Sequence, residues 1–326
     1  MRTVDDYLLE LIRIPSVSSV SNRPVVEYAQ DVLRCARWST SLTSYVDASG
    51  IEKVNLIAAP PGQNPDEPVV DLAFLCHTDT VPPAAGWTAA LEPFVASGQV
   101  FGCGACDVKG FLACLLTAAV ETRGGVFRPG LRIVLTADEE TGCLGSHRLL
   151  ADGRLHPRSL VVGEPTSLHA ARAGKGYCLG ELIVYGAEAH SAHPSEGRSA
   201  IYDAARVIQA IEQLSTELAR EQNLFFDPPY TSINVGTING GTAKNVIPAE
   251  CRFLVEWRPI PGQMPEFVQQ AIESIAQELR QSDPAFHCDF KIIRRQNGFE
   301  TSADSSLVWG LEHLTGRTSI SIPFGS

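Results

Sequence analysis

Three uninterrupted runs of β-forming residues constrain this chain more than any other feature: "VVDLAFLC" (69–76), "LRIVLTA" (131–137) and "SLVVGE" (159–164). A strand with water on one face alternates apolar and polar residues, whereas a strand covered on both faces need not. The stretch Gly110–Glu121, between the first two runs, is almost wholly apolar and reads as a buried helix. Strands alternating with helices predict an α/β fold on a mainly parallel sheet. Such sheets bind ligands beyond the carboxyl ends of their strands. Polar residues stand at those ends: His77 and Asp79 after the first run, Asp138, Glu139 and Glu140 after the second, Glu164 closing the third.

The flanking segments fill out the pattern. Val4, Leu8, Leu11 and Ile12 recur at helical spacing behind a Thr3–Asp6 capping pair, and Pro15 ends that helix. A second helix fits Pro24–Cys35, and "KVNLIAA" (53–59) fits a strand. The texture changes after residue 175. "GYCLGELIVYG" reads as a strand. Ala200–Arg220 reads as a helix with Ile201, Ala204, Ala205, Ile208, Ile211 and Leu218 on one side. "TSINVGTING" and "AECRFLVEWRPI" read as adjacent strands joined through Gly240 and Gly241; Met264–Gln281 is a helix and "HCDFKIIRR" a last strand. The order βαββαβ is that of a ferredoxin-like unit, here an inserted second domain. "SADSSLVWGLEHLTG" returns to a helix, and "SISIPFGS" to a strand.

Charge excludes some functions. With 37 acidic against 26 basic residues the net charge is −11, which disfavours nonspecific binding to nucleic acid or anionic membranes. No apolar run approaches the roughly 20 residues that span a bilayer. The acidic, interrupted start "MRTVDDYLLELIRIP" does not read as a signal peptide. Nine scattered cysteines predict a reduced, cytoplasmic protein rather than a disulfide scaffold. Cys103 and Cys106 form a C-x-x-C, but no second pair completes a four-ligand zinc site.

Singly, an acidic residue at a strand end is ordinarily a solvated side chain or a helix cap. Jointly, "HTD" (77–79), "GACDVKG" (104–110), "TADEETG" (136–142) and "GEPT" (163–166) would crowd carboxylates on one rim of a sheet, where they repel unless a cation neutralises them. Imidazole with carboxylates suits Zn, Co or Mn. Of Glu139 and Glu140, one can bind metal while the other stays free as a base. Asp79, two residues from His77 and on the same side, can bond the second imidazole nitrogen. An aspartate able to take two cations, such as Asp107, would hold a two-metal site.

These clusters, in this order, resemble the dinuclear zinc amidohydrolase family of acetylornithine deacetylase, succinyl-diaminopimelate desuccinylase, aminoacylase and glutamate carboxypeptidase. The resemblance runs through nearly the whole chain. It implies a metal-binding catalytic domain from residues 1–174 and 297–326, and a lid/dimerisation domain from 175–296. It implies two divalent ions, zinc with cobalt as the alternative, held by His77, Asp107, Glu140 and Glu164, with Asp107 bridging. Asp79 would orient His77, and Glu139 would be the general acid/base. In "GAEAHSAHP", His190 matches the histidine that reaches a neighbouring subunit's site in a homodimer and stabilises the oxyanion; His193 is a bystander. Lys175, Asn245 and Arg258 match positions that bind the substrate carboxylate and carbonyl, a task to which the arginine fork is suited.

"HTDTVP" followed by "GW", "CDVKGF", "TADEETG", "GEPTSL" and the closing "PFGS" are most similar to the acetylornithine deacetylase branch. Two departures stand out. Cys103 occupies a position where the family usually has arginine, a change of packing rather than of ligation. The family also continues past "PFGS" with a segment supplying a last histidine ligand, so the resemblance predicts a C-terminally truncated chain with one ion a ligand short; His313 lies in an amphipathic helix and does not replace it. The activity implied is hydrolysis of a small N-acyl amino acid, N2-acetyl-L-ornithine foremost. A desuccinylase, an aminoacylase and a truncated, non-catalytic dimerisation module are the alternatives.

Overall fold

A computed structural model describes residues 2–323 and divides between Ser167 and Leu168 into two compact units. The first unit opens with α1 (Val4–Arg13) and α2 (Arg23–Cys35). The Thr3 hydroxyl accepts from the Asp6 N–H at 3.2 Å while the Asp6 carboxylate accepts from the Thr3 N–H at 2.7 Å, the reciprocal cap expected of that pair. Then follow β1 (Ser39–Val46), β2 (Glu52–Ala59), β3 (Val69–His77), β4 (Phe94–Ala96), β5 (Gln99–Phe101), α3 (Gly110–Glu121), β6 (Leu131–Thr136), α4 (Leu144–Ala151) and β7 (His156–Val162).

The main sheet has the order β1-β2-β6-β3-β7. Strands β6, β3 and β7 pair in parallel, while β2 runs antiparallel to both β1 and β6. Four of the five strands therefore share one direction, and β2 is the exception to the parallel expectation. Alternate residues face two cores: Leu56, Cys76 and Ile133 pack with α1, α2 and α3, whereas Ile57, Leu75 and Val134 pack with Leu149 of α4. That two-sided cover is why β3 and β6 read as near-continuous apolar runs; β7 departs from the expectation, being an edge strand on which Leu160 and Val162 are exposed. The shared direction of β3, β6 and β7 brings their ends to one edge. The edge strand β1, "STSLTSYV", was not foreseen because its polar alternation carries little hydrophobic signal.

The second unit contains β8 (Ala171–Gly174), β9 (Tyr177–Tyr185), β10 (Ala189–His190), α5 (Ala200–Leu218), β11 (Ser232–Gly240), β12 (Val246–Ile247), β13 (Glu250–Arg258), α6 (Pro265–Ser282), β14 (His287–Gln296), β15 (Phe299–Glu300), α7 (Ser306–Thr315) and β16 (Ile320–Ile322). Strands β9, β11, β13 and β14 with α5 and α6 form the expected βαββαβ unit, in spatial order β11-β13-β9-β14. One sheet face is buried under the two helices by Cys178, Leu182, Val184, Phe253, Val255 and Trp257. The buried stripe of α5 differs from the sequence expectation. Ile201 and Ala205 are exposed, and Val207 and Leu214 are buried instead. The Ser199 cap and a bidentate Arg198–Asp203 pair at 2.5 and 2.9 Å turn Asp203 inward and rotate the helix accordingly.

Strands β15 and β16 flank β8 in a small sheet, so residues 168–174 and 299–322 group by contact with the second unit, not with the first as the sequence division had them. Phe324, Gly325 and Ser326 of the "PFGS" string lie outside the described residues. No helix among the described residues is long and apolar enough to cross a membrane.

Two glycines give opposite tests of this packing. A Cβ at Gly163, after β7, would lie 2.0 Å from the Phe111 ring of α3, so Gly163→Ala should destabilise by about 1–3 kcal/mol. Gly310, inside α7, has nothing within 4 Å of that point, so Gly310→Ala should stabilise by roughly 0.5–1 kcal/mol. Urea unfolding midpoints of the two variants should move in opposite directions.

Candidate metal centre

The first unit gathers its polar residues where β3, β6 and β7 end. His77 is the last residue of β3 and is buried. Its Nδ1 lies 3.0 Å from the Asp79 carbonyl oxygen and 3.6 Å from the Asp79 carboxylate. Both are acceptors, so Nδ1 carries the proton and Nε2 is left as the ligating nitrogen. Asp79 thus orients His77 chiefly through its backbone. Its carboxylate does something the sequence did not suggest: it accepts from the Glu139 N–H at 3.1 Å, the Glu140 N–H at 3.2 Å and the Ser18 hydroxyl at 2.8 Å.

Two sets of donors share the imidazole. Ligating atoms of His77, Glu139 and Glu140 lie within 4.8 Å of one another, and so do those of His77, Asp107 and Glu164. Thus the structure brings together His77, Asp79, Asp107, Glu139, Glu140 and Glu164 from four separate strand ends and loops. His77 Nε2 is 3.1 Å from Asp107 Oδ1. Two ligands about 2.0–2.1 Å from a tetrahedral zinc lie roughly 3.3 Å apart, so this spacing fits a divalent ion between them.

The electrostatics agree. Burial works against a charge on His77, but its contacts with Asp107 and Asp79 and the field of Glu139 push the imidazole up to about 11. Burial, with Asp107 and Glu139 nearby, pushes Glu140 up to about 7. Burial also opposes ionisation of Asp79, yet His77, Ser18 and the Glu139 N–H outweigh it and hold the carboxyl below its ordinary range. A cluster that retains protons in this way is short of positive charge, and a divalent cation supplies it. Beside the donors, Val81, Pro82, Pro83, Trp87 and Phe101 line an apolar cleft of about 400 Å³ that reaches Asp107 and Glu140.

The supporting residues were less legible. Asn55 of β2 brackets the Asp138–Glu140 loop, accepting from the Ala137 N–H at 3.1 Å and donating to the Gly145 carbonyl at 3.0 Å. The Cys143 thiol donates to Glu139 Oε1 at 3.4 Å. Cys103 is buried and Cys106 exposed, and neither joins a donor set.

The residues expected to meet substrate lie in the second unit. His190 of β10 is exposed and pairs with Val246 of β12, and the Ser191 N–H donates to the carbonyl of the exposed Asn245 at 3.0 Å. The Ala192 N–H donates to His190 Nδ1 at 3.2 Å, which places the ring proton on Nε2. Arg258 stacks over Tyr177 at 4.2 Å. Lys175 is directed elsewhere: it is 1% exposed, and its ammonium donates to the Pro228 and Tyr230 carbonyls at 2.7 and 2.6 Å. His313 is exposed and stacks on Trp309 within α7, as expected of a surface residue.

Known proteins extend this picture. An acetylornithine deacetylase of Myxococcus xanthus is 44% identical over 320 residues, covering 98% of this chain and 83% of that protein. This chain belongs to the M20 peptidase family. A second acetylornithine deacetylase, from Yersinia pestis, is 32% identical over 95% of this chain and 82% of its own length. The model described as the peptidase dimerisation domain, M20_dimer, matches residues 172–284, and that of peptidase family M28 matches residues 55–163. Among solved structures, a tripeptidase of Staphylococcus aureus superposes with a TM-score of 0.76 at 19% identity over 99% of this chain and 84% of that one. An M20 family metallo-carboxypeptidase of Sulfolobus solfataricus gives 0.73 at 16%, over 100% and 86%. Both show the M20 fold.

The acidity of this M20 site has a measurable sign. In metal-free protein Glu140 keeps its proton to about pH 7, whereas in the unfolded chain it is lost near 4.5. A raised acid contributes stability below the lower value and loses it as pH rises through the higher one. Metal-free protein should therefore lose stability from pH 4.5 to 7, and a divalent ion, which needs Glu140 ionised, should bind more tightly across the same window. Melting curves of chelator-treated protein with and without Co²⁺ should show a metal-induced shift that grows with pH; a constant shift would contradict the donor assignment.

Proposed function

We propose that this chain hydrolyses the amide bond of a small N-acyl amino acid, with N2-acetyl-L-ornithine as substrate and L-ornithine and acetate as products. The observation that carries this reading is the convergence of His77, Asp107, Glu139, Glu140 and Glu164, in a chain 44% identical to an acetylornithine deacetylase over 98% of its length. Two divalent ions, zinc foremost and cobalt next, would be held by His77, Asp107, Glu140 and Glu164, with Asp107 as the shared ligand. Ions held there would polarise the amide carbonyl and make a water acidic near neutral pH.

Glu139 is the general acid/base. It takes the proton of the attacking water and returns it to the departing amine nitrogen. Two features support giving this role to Glu139 and not to Glu140. Glu140 is the carboxylate pressed by Asp107, as a shared ligand would be. Glu139 instead has the Cys143 thiol at one oxygen, a donor that orients it without neutralising it.

We further propose a homodimer through the domain that matches the dimerisation model. In it, His190 of one subunit donates its Nε2–H to the carbonyl oxygen in its partner's site as negative charge develops there. Arg258 and Asn245 would bind the substrate carboxylate and carbonyl, while the Lys175 ammonium donates to the Pro228 and Tyr230 carbonyls. The scattered, odd set of cysteines favours a reducing compartment, the cytoplasm.

Glu139→Gln should lower turnover by at least about 10²–10⁴-fold with metal content unchanged, as read by initial rates and metal analysis; retained turnover would remove Glu139 from the role. A panel of acetylornithine, succinyl-diaminopimelate and acetylmethionine decides the substrate. Preference for either of the last two would replace the deacetylase reading with a desuccinylase or an aminoacylase.

A further inference from the structure

Lys53, the second residue of β2, lies behind the metal donors without touching them and is only 1% exposed. Its ammonium donates to the Ser18 carbonyl at 2.5 Å and the Val20 carbonyl at 3.0 Å. It pairs with Asp138 Oδ1 at 2.9 Å, with Asp47 farther off at 3.6 Å. The other Asp138 oxygen accepts from the Tyr45 hydroxyl at 2.8 Å. Asp138 is itself buried, and its φ of 57° is left-handed, a conformation that an L-residue keeps only where its surroundings hold it.

Two routes lead from this cluster to the site. Asp138 is bonded directly to Glu139, so fixing its side chain and its left-handed turn fixes where the Glu139–Glu140 pair begins. Ser18, whose carbonyl Lys53 holds, donates its hydroxyl to Asp79. Asp79 in turn accepts the N–H groups of Glu139 and Glu140. The loop is thus gripped from its first residue and from its own backbone, and both grips end on one ammonium. A buried ion pair is a poor stabiliser compared with apolar residues of the same volume, so its presence calls for a role beyond holding the fold.

We propose that Lys53, with Asp138 and Tyr45, is a positioning device that sets the Glu139–Glu140 loop for cation binding and for proton transfer. The proposal rests on the metal-dependent hydrolase reading above. None of the three side chains meets substrate; they act through Asp79 and the loop backbone.

The test is the double variant Lys53→Met/Asp138→Asn. Methionine matches the lysine stem, asparagine tolerates the left-handed turn and keeps an acceptor for Tyr45, and Asp47, which loses its cation, keeps the N–H groups of Ser49 and Ile51. The expected result is a protein that still melts in one transition, at a midpoint lowered by the two carbonyls left without a donor, with Co²⁺ affinity by equilibrium dialysis weaker by about 10–100-fold and a fall in kcat with little change in KM. A folded double variant with parental Co²⁺ affinity and kcat overturns the proposal. Should the double variant not fold, Tyr45→Phe, which removes one oxygen, should shift affinity and kcat in the same direction by several-fold, and no shift overturns the proposal equally. A parent protein that binds no Co²⁺ would overturn the hydrolase reading itself, whereas equal binding by parent and variant would remove only the positioning role.

Discussion

The site depends on one buried carboxylate. Asp79 takes the hydroxyl of Ser18 and the N–H groups of Glu139 and Glu140, and stands beside the ring of His77. A carboxylate with so little access to water is costly unless its oxygens are satisfied, and here three donors from two distant segments satisfy them. Satisfying Asp79 and assembling the donors are therefore a single event. The chain cannot provide for this charge without bringing the loop after β6 against the end of β3.

The sheet supplies the direction. Because β3, β6 and β7 run in parallel, whatever follows each of them emerges at one edge, and the helices on both faces leave that edge free. Like charges meet there, and their mutual repulsion is expressed as retained protons on His77 and Glu140. A rigid frame that forces such a meeting stores a preference for cations, which is what a metal-dependent catalyst needs before any substrate arrives.

Much of this was legible in the sequence. The ends of β3 and β6 were visible because strands covered on both faces show as apolar runs, whereas β7 is an apolar run at the sheet's edge; His77 with Asp79 declared a shared side by their two-residue spacing. What stayed hidden was mostly long-range. Lys53 looked like the ordinary polar start of "KVNLIAA"; only the arrival of Asp138, 85 positions later, makes it a buried cation. Asp138 read as one more acidic residue of "TADEETG", although it faces away from the donors toward Tyr45. The stripe of α5 was misplaced because Asp203, polar by type, is drawn inward by Arg198. Lys175 matched a substrate position in sequence, but its ammonium is closed off by two carbonyls. Each miss is a case where a partner far along the chain decides what a local pattern cannot.

One feature of His77 bears on how the site fills. Its Nδ1 is committed to Asp79, so Nε2 alone serves two donor sets. One nitrogen cannot ligate two ions. The carboxylates of both groups therefore depend on the same imidazole nitrogen, Glu139 and Glu140 in one and Asp107 and Glu164 in the other. Whatever that nitrogen engages, one group gains a partner that the other must do without, so the two halves of the cluster are coupled through a single atom.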